Sequence, residues 1–140
     1  MLECLIIGDS LAVGVGQIRK ECVTHAVSGI NSYDYVNRFV MHTKGDTHAK
    51  TTIISLGSND PANLDTYEEL DALRQLVTTE RVYWILPNIK ESKRKAVWMV
   101  AKKHGDMVID ARNHSRSPDH VHPTYSGYKS IANETRDTQP

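Results

Sequence analysis

The sequence has little of what would place it in several large classes of protein. Neither charge is in excess: 17 Lys and Arg stand against 17 Asp and Glu, for a formal net charge of zero. A nucleic-acid binder carries a basic surplus or stripe, so no nucleic-acid partner is expected. The basic stretch at 90–95 is interrupted by Glu91, as on a solvated helix face. No apolar run approaches the roughly 18 residues that span a bilayer, so no membrane span is expected. The opening MLECLIIGDS carries an acid and no basic region, and does not read as a signal peptide. The two cysteines, Cys4 and Cys22, are too few for a disulfide framework. Both are expected to be reduced core residues, consistent with a cytoplasmic location. Internal repeats, low-complexity tracts and linkers are lacking too, so 140 residues that are 39% hydrophobic predict one domain over 1–140, with a loose tail from 135.

What is there is alternation. Short apolar runs end abruptly in Gly, Ser or Asn and are followed by longer stretches with helical spacing. The runs are 4–7, ending at Gly8-Asp9-Ser10; 22–27, ending at Ser28-Gly29; 51–56, ending at Gly57-Ser58-Asn59-Asp60; 82–86, stopped by Pro87; and 107–109. Helices are predicted over 11–20, loosened by Gly14 and Gly16; over 31–42, capped by Asn31, with Tyr35, Val36, Phe39 and Val40 as its stripe; and over 66–78, with Leu70, Leu73, Leu76 and Val77 on one face. Two more are predicted over 90–104 and from Pro123 to about 133. Five strands alternating with helices imply an α/β fold, a five-stranded parallel sheet covered on both faces. Right-handed crossovers limit the topology to a flavodoxin-like order, most commonly 2-1-3-4-5.

Ligand sites in such folds lie beyond the carboxyl ends of the strands, where the strand order reverses. The Gly/polar clusters after the first three strands fall at that place, which gathers Ser10, Gly29 and Asn59 in one crevice. The Ser10 backbone N–H, the unhindered N–H of Gly29 and the Asn59 side-chain NH₂ are three donors that suit an oxyanion hole. A serine hydroxyl needs a base, and Asp119-His120-Val121-His122-Pro123 supplies one. Asp119 can reach Nδ1–H of His122 and leave Nε2 free to take the Ser10 proton. Pro123 keeps His122 out of helical angles, so the ring is presented from a loop.

GDSLAVG at 8–14, SG at 28–29, GSND at 57–60 and DHVHP at 119–123 resemble the four motif blocks of the SGNH (GDSL-type) hydrolases, in the family's order and across nearly the whole chain. ILPN after the fourth strand and HPTYSGYKSIA after the histidine are also similar to the family. The resemblance implies a three-layer α/β/α fold and cofactor-independent hydrolysis of esters or thioesters. Ser10 matches the nucleophile, His122 the base, Asp119 its orienting acid, and Ser10, Gly29 and Asn59 the oxyanion donors. The chain is shorter than most members of the family, so the loops that build an acyl pocket must be trimmed. Only a few residues around Pro87-Asn88-Ile89 follow strand 4. A shallow cleft favours a small-molecule or carbohydrate ester with a short acyl group, such as an O-acetyl.

The same residues also admit blander readings. Asp9 and Asp60 read as loop-ordering acceptors, and His120 is the rival of His122 with poorer spacing from Asp119. His114, His120 and His122 with Asp119 lack a HExxH helix or a Cys/His pattern, so no metal site is expected. Tyr83/Trp84 and Tyr125/Tyr128 read as packing residues before they read as a sugar platform. A non-enzymatic flavodoxin-like binding module is the rival function, but GDSLAVGVG has neither a P-loop lysine nor the third glycine of a dinucleotide fingerprint. The third reading keeps the fold and makes the chain an interaction subunit of a larger assembly.

Overall fold

The computed structural model describes residues 1–114, 116–119 and 121–136. The five apolar runs are strands: β1 (Leu2–Gly8), β2 (Val23–Ala26), β3 (Ala49–Ser55), β4 (Arg81–Leu86) and β5 (Met107–Asp110). They form one parallel sheet in the order β2-β1-β3-β4-β5, the order expected from the sequence. Among the described residues six α-helices flank it: α1 (Ser10–Ile18), α2 (Ser32–Asn37), α3 (Phe39–Thr43), α4 (Thr66–Leu76), α5 (Glu91–His104) and α6 (Tyr125–Glu134). Among the described residues no helix is long and apolar enough to cross a membrane.

Alternation along the buried strands sorts their side chains into two cores. Leu5, Ile7, Ile54, Val82 and Trp84 face one side, with Tyr35, Phe39, Leu70, Leu73, Val97 and Val100 from α2 to α5. Cys4, Ile6, Ile53, Tyr83, Ile85 and Ile109 face the other, with Leu11, Val15 and Ile131 from α1 and α6. Period-two burial on both faces is the signature of a sheet enclosed between helix layers.

The helices begin where capping chemistry lets them. Asp9, Asn31, Asp65 and Thr124 each accept from a backbone N–H of the first turn that follows, and Gly105, in a left-handed conformation, ends α5. Three expectations need correction here. The single helix over 31–42 is two, because Arg38 leaves helical angles (φ −121°, ψ 35°); Val40 therefore turns out to solvent at 71% exposure instead of joining the stripe. Leu76, expected on the buried face of α4, is half exposed, while Val77 beyond the helix end is buried in its place. Pro123 does not open the last helix: it bridges to Arg116, and Thr124 caps.

The cysteines are the largest correction. Cys4 and Cys22 form a disulfide, with Cα atoms 4.8 Å apart. The reason lies in the register: Leu5 pairs with Val23, so the residues just before them face each other across neighbouring strands. The cytoplasmic location expected from free thiols loses that support. The tail is also anchored further than expected, since Arg19 donates to the carbonyl and hydroxyl of Thr135 (3.0 and 3.1 Å) and Arg136 pairs with Glu21. Residues 137–140 of that expected tail lie outside the described residues.

Candidate active site

The first-strand loop is shaped by what Gly8 and Asp9 do. Gly8 has φ +134°, and a Cβ there would stand 1.9 Å from the Ser55 carbonyl oxygen, so only glycine lets β1 pass β3 at this point. Asp9 is fully buried behind it. One carboxylate oxygen accepts from the Leu11 N–H (3.1 Å) and the Ser55 hydroxyl (2.9 Å); the other has no partner. Burial pushes its carboxyl up to about 7, against the opposing pull of these hydrogen bonds. Asp9 thus orders the loop, as read from the sequence, and sets Ser10 at the first position of α1, where a backbone N–H has no acceptor within the helix.

Helix packing then brings the far end of the chain to this point. α1 and α6 lie side by side on the same face of the sheet. A Cβ on Gly14 would stand 2.2 Å from the Tyr128 ring, and one on Gly16 would stand 2.4 Å from the Thr24 hydroxyl oxygen. These two glycines do not simply loosen the helix; they admit α6 and β2 against it. The loop leading into α6 carries His122, and its Nε2 is 2.8 Å from Ser10 Oγ.

Nδ1 of the same ring is 2.9 Å from Asp119 Oδ2. Asp119 also accepts from the backbone N–H groups of Val121 (2.9 Å) and His122 (3.0 Å), and from the Ser117 hydroxyl (2.8 Å). The His122 side-chain hydrogen bond, then these neighbours, hold the carboxyl well below the usual carboxylate range. An ionised Asp119 can only accept, so Nδ1 of His122 carries the proton and Nε2 accepts from the Ser10 hydroxyl. Such a chain can take a proton from the hydroxyl as it attacks. Ser117, which the sequence reading does not single out, braces the loop from both sides: its N–H donates to the His122 carbonyl (2.8 Å) while its hydroxyl reaches Asp119.

The other two predicted residues arrive from β2 and β3. Gly29 is exposed, with φ +81° and nothing within 4 Å of a would-be Cβ, so the backbone conformation, not a crowded approach, is what requires glycine. Asn59 gives one Nδ2–H to the Ile30 carbonyl (3.0 Å), which joins the 57–60 loop to the loop holding Gly29 and leaves its second N–H. Asp60, completely buried, fixes the same junction by accepting from Ser32 N–H and the Thr66 hydroxyl, both at 2.7 Å.

The rival residues go elsewhere. His114 pairs with Glu134, and among the described residues no cluster could hold a metal ion; His120 lies outside those residues. Tyr83, Trp84 and Tyr128 pack in the cores, but Tyr125 does not, being 72% exposed.

No protein-family model and no curated protein matches the sequence. Solved structures do match in shape. A putative lipolytic protein of the G-D-S-L family from Desulfitobacterium hafniense superposes with a TM-score of 0.65 at 16% identity, over 95% of this chain and 97% of that one. A carbohydrate acetylesterase from Sinorhizobium meliloti gives 0.64 at 13% identity, over 96% and 98%. The C-terminal catalytic domain of a peptidoglycan O-acetyltransferase from Streptococcus pneumoniae gives 0.63 at 15%, over 94% and 88%. The order of the sheet, its two helix layers and these superpositions together give the chain the fold of the SGNH (GDSL-type) hydrolases.

Proposed function

We propose that the chain is a serine esterase in which Ser10, His122 and Asp119 act as a triad. The observation that carries this reading is the unbroken run of hydrogen bonds from Ser10 Oγ through the His122 ring to Asp119, assembled from residues 112 positions apart. Ser10 Oγ attacks the ester carbonyl while His122 Nε2 takes its proton. The Ser10 N–H, the Gly29 N–H and the second N–H of Asn59 hold the oxyanion. The imidazolium, stabilised by Asp119, returns the proton to the leaving alcohol, and water then releases the acyl group by the same steps in reverse.

An open site supports a short acyl group on a larger alcohol. The side chains of His122 and Asp119 are 42% and 53% exposed, so solvent and a bulky alcohol can reach the histidine side of the triad. An O-acetyl on a carbohydrate fits that shape, and two of the proteins similar in fold carry names that describe acetyl chemistry on carbohydrate or peptidoglycan. The test is hydrolysis of p-nitrophenyl esters of increasing acyl length. Acetyl is expected to be preferred over octanoyl, with Ser10→Ala lowering kcat by at least about 10⁴-fold. Equal turnover by wild type and Ser10→Ala refutes the esterase reading; a preference for octanoyl refutes only the short acyl group.

A further inference from the structure

The loop between β4 and α5, residues 87–90, touches both halves of the site through Asn88 and Lys90, neither of which belongs to the four motif blocks. On one side Asn88, 1% exposed, donates through Nδ2 to the Val121 carbonyl, next to His122. The described residues within 116–123 otherwise bond mainly among themselves, through Ser117, Asp119 and the Arg116–Pro123 bridge. They are joined to the rest of the described chain through Ser10 with His122 and Asn88 with Val121. On the other side the Lys90 ammonium donates to the carbonyls of Ser58 (2.9 Å) and Asp60 (3.2 Å), the two neighbours of Asn59.

The loop is built to be stiff. Arg94 donates to the Pro87 carbonyl (2.7 Å) and grips Asp110 at the end of β5 with both terminal nitrogens (3.0 and 2.8 Å). Arg112 donates to the Asn88 carbonyl (2.7 Å). Lys90 also sits at φ 64°, a left-handed conformation that side chains other than those of Gly and Asn rarely adopt. The backbone conformation itself suits glycine, so a glycine at this position can remove the ammonium without straining the loop.

We propose that the β4–α5 loop is a positioning clamp: Asn88 sets the height of His122 over Ser10, and Lys90 sets the direction of the Asn59 amide. Neither is a catalytic residue, since each acts through the group it holds. The proposal rests on the esterase reading above. Misplacing a catalytic group by about 1 Å costs on the order of 10²-fold in rate, which makes two side chains holding backbone carbonyls measurable in kcat.

The experiment uses the full chain and p-nitrophenyl acetate, with Lys90→Gly, Lys90→Arg, Asn59→Ala, the double variant Lys90→Gly/Asn59→Ala, and Asn88→Ala. Lys90→Gly keeps the backbone conformation and removes the ammonium. It is expected to lower kcat by about 10- to 100-fold with KM held within about twofold, and Lys90→Arg to recover most of that loss. Added to Asn59→Ala, Lys90→Gly is expected to cost less than about threefold more, because the group it positions is already gone. Asn88→Ala is expected to slow fluorophosphonate labelling of Ser10 by about tenfold or more and to move the acid limb of the kcat/KM profile.

Wild-type kcat in Lys90→Gly, or a fully multiplicative loss in the double variant, overturns the Lys90 arm. An unchanged labelling rate and pH profile in Asn88→Ala overturns the other. Lys90 is exposed, so its variants are expected to fold; where Asn88→Ala does not fold, Asn88→Ser, which keeps a small polar side chain without the Nδ2 donor, takes its place in the labelling and pH measurements and decides that arm in the same way. A wild type without Ser10-dependent hydrolysis defeats the esterase reading and the clamp together, whereas an active wild type with indifferent variants defeats only the clamp.

Discussion

Replacing Asp9 by asparagine tests whether a buried carboxyl beside Ser10 opposes folding at neutral pH. Its pKa is raised from 3.8 to about 7, chiefly by burial. Between those two values the folded state holds a proton that the unfolded state has released, so stability falls as pH rises. The loss begins above about pH 4, runs through the folded pKa near 7, and is complete above it. At 1.36 kcal/mol per unit, the full effect is about 4 kcal/mol, of which about 2.5 kcal/mol falls between pH 5 and pH 8. The Asp9→Asn variant would keep an amide oxygen for the Leu11 N–H and the Ser55 hydroxyl, so the α1 cap survives while the charge does not. The assay is urea unfolding of both proteins at pH 5 and pH 8, with the disulfide intact and the slopes compared. Asp9→Asn should gain on wild type by about 2.5 kcal/mol on moving to pH 8. Parallel behaviour of the two proteins across that range would falsify the assignment of a raised pKa to this carboxyl.

Two further outcomes follow from packing. The Cys4→Ser/Cys22→Ser double variant releases a loop spanning 18 positions and should be less stable by about 3 kcal/mol in urea unfolding; an unchanged midpoint would mean that the bond is not formed. Gly14→Ala places a methyl group against the Tyr128 ring and should cost about 1–3 kcal/mol. Because α6 follows the loop that carries His122 and packs on the helix that carries Ser10, the proposed esterase activity should fall as well, and a variant with wild-type melting temperature and rate would remove that coupling.

Much of this molecule is legible in its sequence, and the reasons differ from element to element. The strands announce themselves because a parallel sheet buried on both faces needs continuous apolar runs, such as CLII in β1 and VYWIL in β4, and must end them where Gly and polar residues can turn. The strand order then places the loops that follow β1 and β3, which carry Ser10 and Asn59, at the same end of two neighbouring strands. The break at Arg38 carries no such mark, since helical spacing continues across it and only tertiary contact decides which turn is buried. The disulfide is within reach of the sequence, given the β1–β2 adjacency and the two runs that begin at Cys4 and Cys22, but composition alone argues against it. Asn88, Lys90 and Ser117 are the hardest to foresee: their partners include backbone carbonyls, and a carbonyl leaves no trace in residue identity.

The most direct measurement of the central claim is covalent labelling of the folded chain with a fluorophosphonate, the site being mapped by peptide mass spectrometry. A single adduct on Ser10 is expected, lost in Ser10→Ala and strongly slowed in His122→Ala. No adduct, an adduct on another serine, or labelling at Ser10 that is indifferent to His122 would contradict it.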